Sequence, residues 1–138
     1  MKRISHRRNT IEQLRQTPIE FGVEIDIRSY GQDLILHHDA FVQGENFDRW
    51  LQEYRHGTLI LNVKEEGLEE ACLARMRQHG IEDFFFLDQS FPFLVKTAKA
   101  GEKRCAVRIS EFESIGTVKS LKGMVNSVWV DCFTKIPL

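Results

Sequence analysis

The sequence has no excess of charge of either sign. Its 138 residues include 19 Lys and Arg against 20 Asp and Glu, a net charge of −1, and the two signs are interleaved along the chain. A protein that holds nucleic acid must neutralise a row of phosphates with a basic face. We therefore expect no nucleic-acid partner.

Long hydrophobic runs are also absent. No apolar stretch approaches the roughly 20 residues that a helix needs to cross a bilayer. The N-terminal Met1-Lys-Arg-Ile-Ser-His lacks the apolar core of a secretory signal. These absences predict a cytoplasmic protein that does not insert into membranes.

Cysteine is scarce. The chain has 3 cysteines, Cys72, Cys105 and Cys132, at wide spacings. An odd number cannot form a fully paired disulfide framework, and no two of them have the close spacing of metal ligands. We interpret them as small apolar residues in a reducing compartment.

What the sequence does contain is a regular alternation of two patterns. With 42% hydrophobic and 28% charged residues, it is typical of a soluble globular protein, and we expect residues 1–138 to form one domain. Short β-rich runs alternate with runs of helical periodicity, which predicts crossover units around a parallel sheet. The predicted strands cover residues 3–5, 23–27, 34–36, 59–63, 83–87, 105–109 and 128–130, and the predicted helices cover residues 10–16, 47–54, 68–78, 92–98 and 115–121.

Polar side chains stand at or near the ends of the predicted parallel strands. In a (β/α) barrel these ends converge on the face that carries active sites. In an open doubly wound sheet the same ends would also face a ligand. The pattern therefore predicts a site under either architecture, formed from His6, Arg7, Glu24, Asp26, Lys64, Asp88, Arg108 and Asp131.

The predicted architecture is an α/β, TIM-type (β/α) barrel with about six of the usual eight units. A complete barrel needs about 250 residues, with a lower limit near 200, whereas this chain stops just past its sixth strand. We expect that about two units are missing unless another chain supplies them. The first and sixth strands would then be exposed sheet edges, which favours a homo-oligomer joined through them.

Four linked elements in the first third of the chain, and a fifth on the third strand, carry a family resemblance. Their order and spacing resemble those of the glycerophosphodiester phosphodiesterase family, with His-Arg after strand one, Glu-x-Asp on strand two, His-Asp after a short hairpin and Glu-x-Lys on strand three. The matching segments are Ile4-Ser5-His6-Arg7, Asn9-Thr10-Ile11-Glu12, Val23-Glu24-Ile25-Asp26-Ile27-Arg28, Gly31-Gln32-Asp33-Leu34-Ile35-Leu36-His37-His38-Asp39 and Leu61-Asn62-Val63-Lys64.

The resemblance implies a phospholipase C-like barrel that cleaves phosphodiesters with a divalent cation. Glu24 and Asp26 are two residues apart on a strand, so they point to the same side. Two hard carboxylates placed in this way suit Mg²⁺ or Ca²⁺. Asn62 stands where the family carries a third metal carboxylate, and it would be a third ligand.

Cleavage of a phosphodiester anion also needs a base, an acid and positive charge. His6 and His38 would divide the base and acid roles, because imidazole titrates near neutral pH. The resemblance implies that Arg7 and Lys64 bind the phosphate. We expect the substrate to be a small hydrophilic phosphodiester of the glycerophosphodiester or sugar-phosphate type.

Three features depart from the family pattern. Arg8 replaces the glycine that usually follows His-Arg. Asn62 removes one negative charge from the metal site, which should weaken cation binding. The connection over residues 40–46 is short where many family members carry a longer insertion, so the substrate itself is open.

Other interpretations stay open. Asp88, Arg108 and Asp131 would either contact substrate or form ion pairs across the top of the barrel. The alternative function is a degenerate barrel that binds a phosphorylated ligand without turnover, which Asn62 and the missing units motivate. A lyase or isomerase on the same barrel is a third alternative, because a fold does not fix the reaction.

Overall fold

Strands and helices alternate along the chain, as the sequence predicts. The computed structural model describes residues 1–134. The strands are β1 (Ile4–Ser5), β2 (Gly22–Tyr30), β3 (Asp33–Leu36), β4 (Glu45–Asn46), β5 (Leu59–Val63), β6 (Phe84–Leu87), β7 (Ala106–Ile109) and β8 (Ser127–Val130). The helices are α1 (Ile11–Arg15), α2 (Phe47–Glu53), α3 (Glu69–His79), α4 (Phe91–Lys99) and α5 (Ile115–Ser120).

Local sequence signals explain where α1 begins and where α3 ends. The Thr10 side chain accepts a hydrogen bond from the backbone N–H of Gln13 at 3.1 Å, and the Gln13 side chain accepts one from the Thr10 N–H at 3.2 Å. This reciprocal pair is a capping box, which starts α1. α3 ends at Gly80, whose φ of 64° is a left-handed conformation that glycine adopts without steric cost. None of the helices within residues 1–134 has the length and apolar character needed to cross a membrane.

The sheet is parallel apart from one hairpin. β1, β2, β5 and β6 pair in parallel, and β7 and β8 form a second parallel pair. One isolated bridge, Phe86 to Cys105, connects the sheet formed by β1 to β6 with the β7–β8 pair. β3 pairs antiparallel with the later part of β2, and β4 pairs antiparallel with β3. The predicted α/β class is confirmed.

The parallel strands do not close into a barrel within residues 1–134. In this part of the chain β1 pairs only with β2, and β8 pairs only with β7. β1 has 2 residues, and β3 pairs with the later part of β2, beyond the two residues that β1 contacts. Within residues 1–134 the outer strands β1 and β8 do not pair with each other, so the structure shows the predicted units without the closure of a barrel.

Both faces of β2 and β5 are buried, and they differ in chemistry. One face packs against the helices, where Ile25 and Leu61 belong to the same cluster as Trp50. The other face packs Ile60 against Leu87 and Ala106 in a smaller apolar cluster to which no helix contributes. The same face carries buried polar side chains at Glu24, opposite Ile60, and at Asp26 and Asn62, which lie opposite each other two residues further on.

Candidate active site

A cavity of ≈ 460 Å³ opens at the carboxyl ends of the parallel strands. Every residue that the sequence predicts for the site lines this cavity, and Leu87, Trp129 and Phe133 complete its wall. The predicted residues are distributed from strand β1 to the segment after β8, so only the fold gathers them. They are His6, Arg7, Glu24, Asp26, His38, Asn62, Lys64, Asp88, Arg108 and Asp131.

Two buried carboxylates form the floor of the cavity. The side chains of Glu24 and Asp26 are each 1% exposed. Asn9 holds Asp26 on two sides: its amide nitrogen donates to Asp26 Oδ2 at 2.9 Å, and its amide oxygen accepts from the Asp26 backbone N–H at 2.9 Å. Asp26 is therefore fixed in position by a residue of the preceding loop.

The buried Glu24 carboxylate lies close to the Asp26 carboxylate, and it contacts His6. Burial raises the pKa of the Glu24 carboxyl, and the nearby Asp26 carboxylate raises this pKa further. His6 Nε2 lies 2.5 Å from Glu24 Oε2, and the His6 charge lowers the pKa, although burial prevails. The ionised Glu24 side chain therefore favours additional positive charge nearby.

His38 lies between an acceptor and a donor. Its Nδ1 is 3.1 Å from Asp39 Oδ1, and its Nε2 is 2.9 Å from Nη2 of Arg7. A carboxylate only accepts and a guanidinium only donates. In this arrangement His38 is therefore neutral, with its proton on Nδ1 and the lone pair of Nε2 facing Arg7. Arg28 holds the backbone here, because its guanidinium donates to the carbonyl oxygens of His37 and His38 at 3.2 and 2.8 Å.

Two residues that line the cavity have left-handed backbone conformations, which residues other than glycine seldom adopt. Arg7 has a φ of 53° and Asp88 a φ of 58°. Such conformations cost free energy and are found preferentially at functional sites. Arg8, which departs from the family pattern, instead donates its backbone N–H to Glu24 O at 2.9 Å, and its carbonyl accepts from Trp50 Nε1 at 2.9 Å.

Ion pairs cross the other side of the cavity. Lys64 Nζ lies 3.5 Å from Asp26 Oδ1 and 3.9 Å from Asp88 Oδ2. Arg108 pairs with Asp88, and its Nη1 donates to Asp131 Oδ2 at 3.1 Å. The structural interpretation of Asp88, Arg108 and Asp131 as an ion-pair network is thus observed, while their side chains also face the cavity.

The donor set fits a hard divalent cation. Within residues 1–134 no three His, Cys, Asp or Glu side chains form a metal-binding group. The Asn62 amide, however, is the side chain next to Asp26 on the neighbouring strand. Two buried oxygens, Glu24 Oε1 and Asn62 Oδ1, have no hydrogen-bond partner among the described residues. Buried unpaired oxygens are costly, and Mg²⁺ or Ca²⁺ prefers oxygen ligands.

Asn9, Arg28 and Trp50 support the site and were not predicted as site residues. Asn9 contacts a residue 17 positions away, and Trp50 contacts a carbonyl 42 positions away. The spacing of neighbouring residues in the sequence does not predict such long-range contacts. Asn9 and Arg28 both belong to segments that the family resemblance includes, and this was the available signal for them.

A comparison with solved structures supports the fold. The crystal structure of a protein from Agrobacterium tumefaciens strain C58, named "putative glycerophosphoryl diester phosphodiesterase", matches with a TM-score of 0.70 and 14% sequence identity, over 94% of this chain and 75% of that chain. The chain shares the fold of that protein. No protein-family model and no curated protein matches the sequence.

Proposed function

We propose that the protein is a metal-dependent phosphodiester hydrolase that acts on a small hydrophilic phosphodiester, of the glycerophosphodiester or sugar-phosphate type. The observation that carries this proposal is a single cavity that gathers two imidazoles, two buried carboxylates, two arginines and a lysine. The shared fold with the Agrobacterium protein, whose name describes a glycerophosphoryl diester phosphodiesterase, adds support.

Glu24 and Asp26 would hold the cation, with Asn62 as a third ligand. Burial makes the negative charges of these two carboxylates energetically unfavourable, and a bound cation would offset this free energy. A bound Mg²⁺ or Ca²⁺ would supply positive charge to the phosphoryl oxygens of the substrate. Asn9 would keep Asp26 in place, because the nitrogen and the oxygen of its side-chain amide both form hydrogen bonds with Asp26.

Arg7 and Lys64 would bind the substrate phosphate from two sides. Arg7 is able to donate two parallel hydrogen bonds to non-bridging oxygens. Lys64 is a compact charge, and its side chain is 20% exposed at the cavity wall. As negative charge develops on the phosphoryl oxygens, both groups would stabilise it.

His38 suits the role of general base. It is neutral in this arrangement, and Asp39 holds its Nδ1–H, so Nε2 would take a proton from the attacking oxygen once Arg7 turns to the phosphate. The attacking oxygen belongs either to water or to a neighbouring hydroxyl of the substrate. His6, oriented by Glu24, would carry the complementary acid role toward the leaving oxygen.

Hydrolysis of bis(p-nitrophenyl) phosphate tests the proposal. We expect turnover that a chelator removes and that Mg²⁺ or Ca²⁺ restores. His6→Ala and His38→Ala should each lower kcat by about 100-fold or more, the usual contribution of acid–base catalysis. His79→Ala is the matched control, because α3 runs back toward the start of β6 and places His79 at the opposite end of the sheet.

The alternative is a protein that binds a phosphorylated ligand without turnover. Asn62 favours it, because an amide supplies one negative charge fewer to a cation than a carboxylate does. Saturable binding of glycerol 3-phosphate, without turnover of any phosphodiester in a panel at any cation concentration, would support this alternative.

A further inference from the structure

Asn62 lies between Asp26 on β2 and Asp88, which follows the end of β6. β5 is flanked by β2 and β6, and the residues opposite Asn62 are Asp26 on β2 and Leu87 on β6. Asp88 directly follows Leu87. Asn62 is 5% exposed, so its amide has little access to water.

The two ends of the Asn62 amide have different surroundings. Nδ2 donates a hydrogen bond to Asp88 Oδ2 at 3.0 Å. Oδ1 is buried and has no hydrogen-bond partner within residues 1–134. An ionised carboxylate only accepts hydrogen bonds, so only the NH₂ end of the amide can face Asp88. Since the two ends of a carboxamide point apart, the oxygen is turned away from Asp88.

Asp88 is itself held rigidly. Its other carboxylate oxygen pairs with Arg108, and its backbone has a φ of 58°. Lys64 Nζ lies 3.9 Å from Asp88 Oδ2 and 3.5 Å from Asp26 Oδ1. A rigid acceptor on the β6 side therefore faces the amide, whereas the β2 side carries the carboxylate of Asp26.

The spacing suits a shared cation. Neighbouring strands lie about 4.8 Å apart, and the bonds from Mg²⁺ or Ca²⁺ to oxygen are about 2.0–2.6 Å long. One ion can therefore contact oxygens from side chains on both β2 and β5. A freely rotating amide would turn its NH₂ group toward the ion in part of the population, and an NH₂ group repels a cation.

We propose that Asp88 is a positioning residue that orients the Asn62 carboxamide, so that Oδ1 serves as a ligand to a divalent cation held by Glu24 and Asp26. This inference rests on the metal site of the proposed function. It gives Asp88 a task distinct from contact with substrate. It also explains how an asparagine can serve where a carboxylate, with two equivalent oxygens, would need no orientation.

A double-mutant cycle with direct cation binding tests the inference. Mg²⁺ and Ca²⁺ are titrated separately into the whole chain by calorimetry, for the unmodified protein and for Asp88→Ala, Asn62→Asp and the double variant. We expect Asp88→Ala to weaken binding by about 10-fold or more, the usual effect of losing a residue that orients a ligand. In the Asn62→Asp background the same change should leave affinity unchanged or tighten it, because a carboxylate needs no orienting acceptor and is repelled by Asp88.

The outcomes separate this inference from the function. If Asp88→Ala weakens binding equally in both backgrounds, Asp88 acts directly on the ion and the positioning role is overturned, while the hydrolase proposal stands. If the unmodified protein binds neither cation, the positioning role and the metal site fall together. Coupled binding without hydrolysis would support the positioning role and contradict the hydrolase. Thermal unfolding without cation identifies a variant that fails to fold, and Asp88→Asn then replaces Asp88→Ala, with a smaller loss expected because its oxygen still accepts from Asn62.

Discussion

Arg7 donates a hydrogen bond from Nη2 to Nε2 of His38, across 2.9 Å. Arg7 follows β1, and His38 follows the hairpin strand β3, so the contact joins two loops at the mouth of the cavity. The Arg7 guanidinium is therefore bonded to the His38 nitrogen that would accept a proton in the proposed reaction. An anionic substrate offers Arg7 a stronger partner, and its binding would release His38.

Arg7→Lys should therefore lower kcat/KM for a phosphodiester by about 10- to 100-fold. Lysine keeps the charge but loses the paired donors that match a phosphate, a difference in line with the 1.5–3 kcal/mol of a hydrogen bond to a charged group. Steady-state kinetics measures the effect. Arg3→Lys is the control, because Arg3 lies over the Phe21 ring, away from the cavity. Equal kinetics for the two variants would contradict a phosphate-binding role for Arg7.

Glu24→Gln should stabilise the cation-free protein at neutral pH. The pKa of Glu24 is raised above its ordinary value of 4.5, chiefly by burial, so the folded state binds this proton more tightly than the unfolded state does. The resulting penalty is absent below about pH 4.5 and grows as the pH rises toward the folded-state pKa. We expect the variant to be more stable than the unmodified protein at pH 7.5 and to lose that advantage as the pH falls toward 4.5.

Urea denaturation of both proteins across this pH range measures what the Glu24 carboxyl contributes to stability, including its charge coupling to the groups around it. Saturating Mg²⁺ or Ca²⁺ should reverse the order of stability. A cation at 100 times its Kd stabilises a folded protein by about 2.7 kcal/mol, and the variant should lose most of this. A variant that is less stable than the unmodified protein at pH 7.5 without cation would show that burial does not dominate at Glu24.

The sequence was sufficient to predict which residues lie at the strand ends that form the site. The apolar runs predict β5 at its observed bounds, and they predict the other parallel strands to within a few residues of their observed bounds. The carboxyl ends of parallel strands meet on one face, so the convergence of Glu24, Lys64 and Asp88 followed from strand direction alone. β4 was missed, because its 2 residues carry no alternating pattern.

The contacts within the site could not be predicted. The Arg7–His38 pair spans 31 residues, and the Asn62–Asp88 pair spans 26. Both depend on left-handed backbone at Arg7 and at Asp88. Arginine and aspartate do not signal that conformation as glycine would, so no sequence pattern indicates which way these loops turn.

Asn9→Ala should destabilise the fold and weaken cation binding together. The change removes both hydrogen bonds to Asp26 and leaves its buried backbone N–H without the acceptor seen here. We expect a loss of about 1–3 kcal/mol in the free energy of unfolding and about 10-fold weaker Mg²⁺ or Ca²⁺ binding. Urea denaturation and calorimetry measure the two effects. Asn126→Ala, at an exposed position before β8, should change neither. Full cation affinity in Asn9→Ala would exclude a supporting role.

Trp50→Phe tests whether α2 positions the loop after β1, which carries His6 and Arg7. Trp50 is fully buried, and its indole N–H donates to the carbonyl of Arg8, within the segment that carries His6, Arg7 and Asn9. Phenylalanine keeps an aromatic ring but leaves that carbonyl without this donor. We expect a loss of about 1–3 kcal/mol in stability, together with a fall in kcat of about 10-fold, because a small displacement of catalytic groups is costly.

Phe47→Leu is the matched control for this loss of packing. Phe47 is fully buried on the same helix, and its ring lies 6.3 Å from that of Trp50, but it makes no side-chain hydrogen bond to the loop. Its replacement should cost about 1 kcal/mol and leave kcat within twofold. If the two variants lose similar stability and neither changes kcat, Trp50 serves the core alone, and the loop keeps its geometry through the hydrogen bond from Arg8 N to Glu24 O.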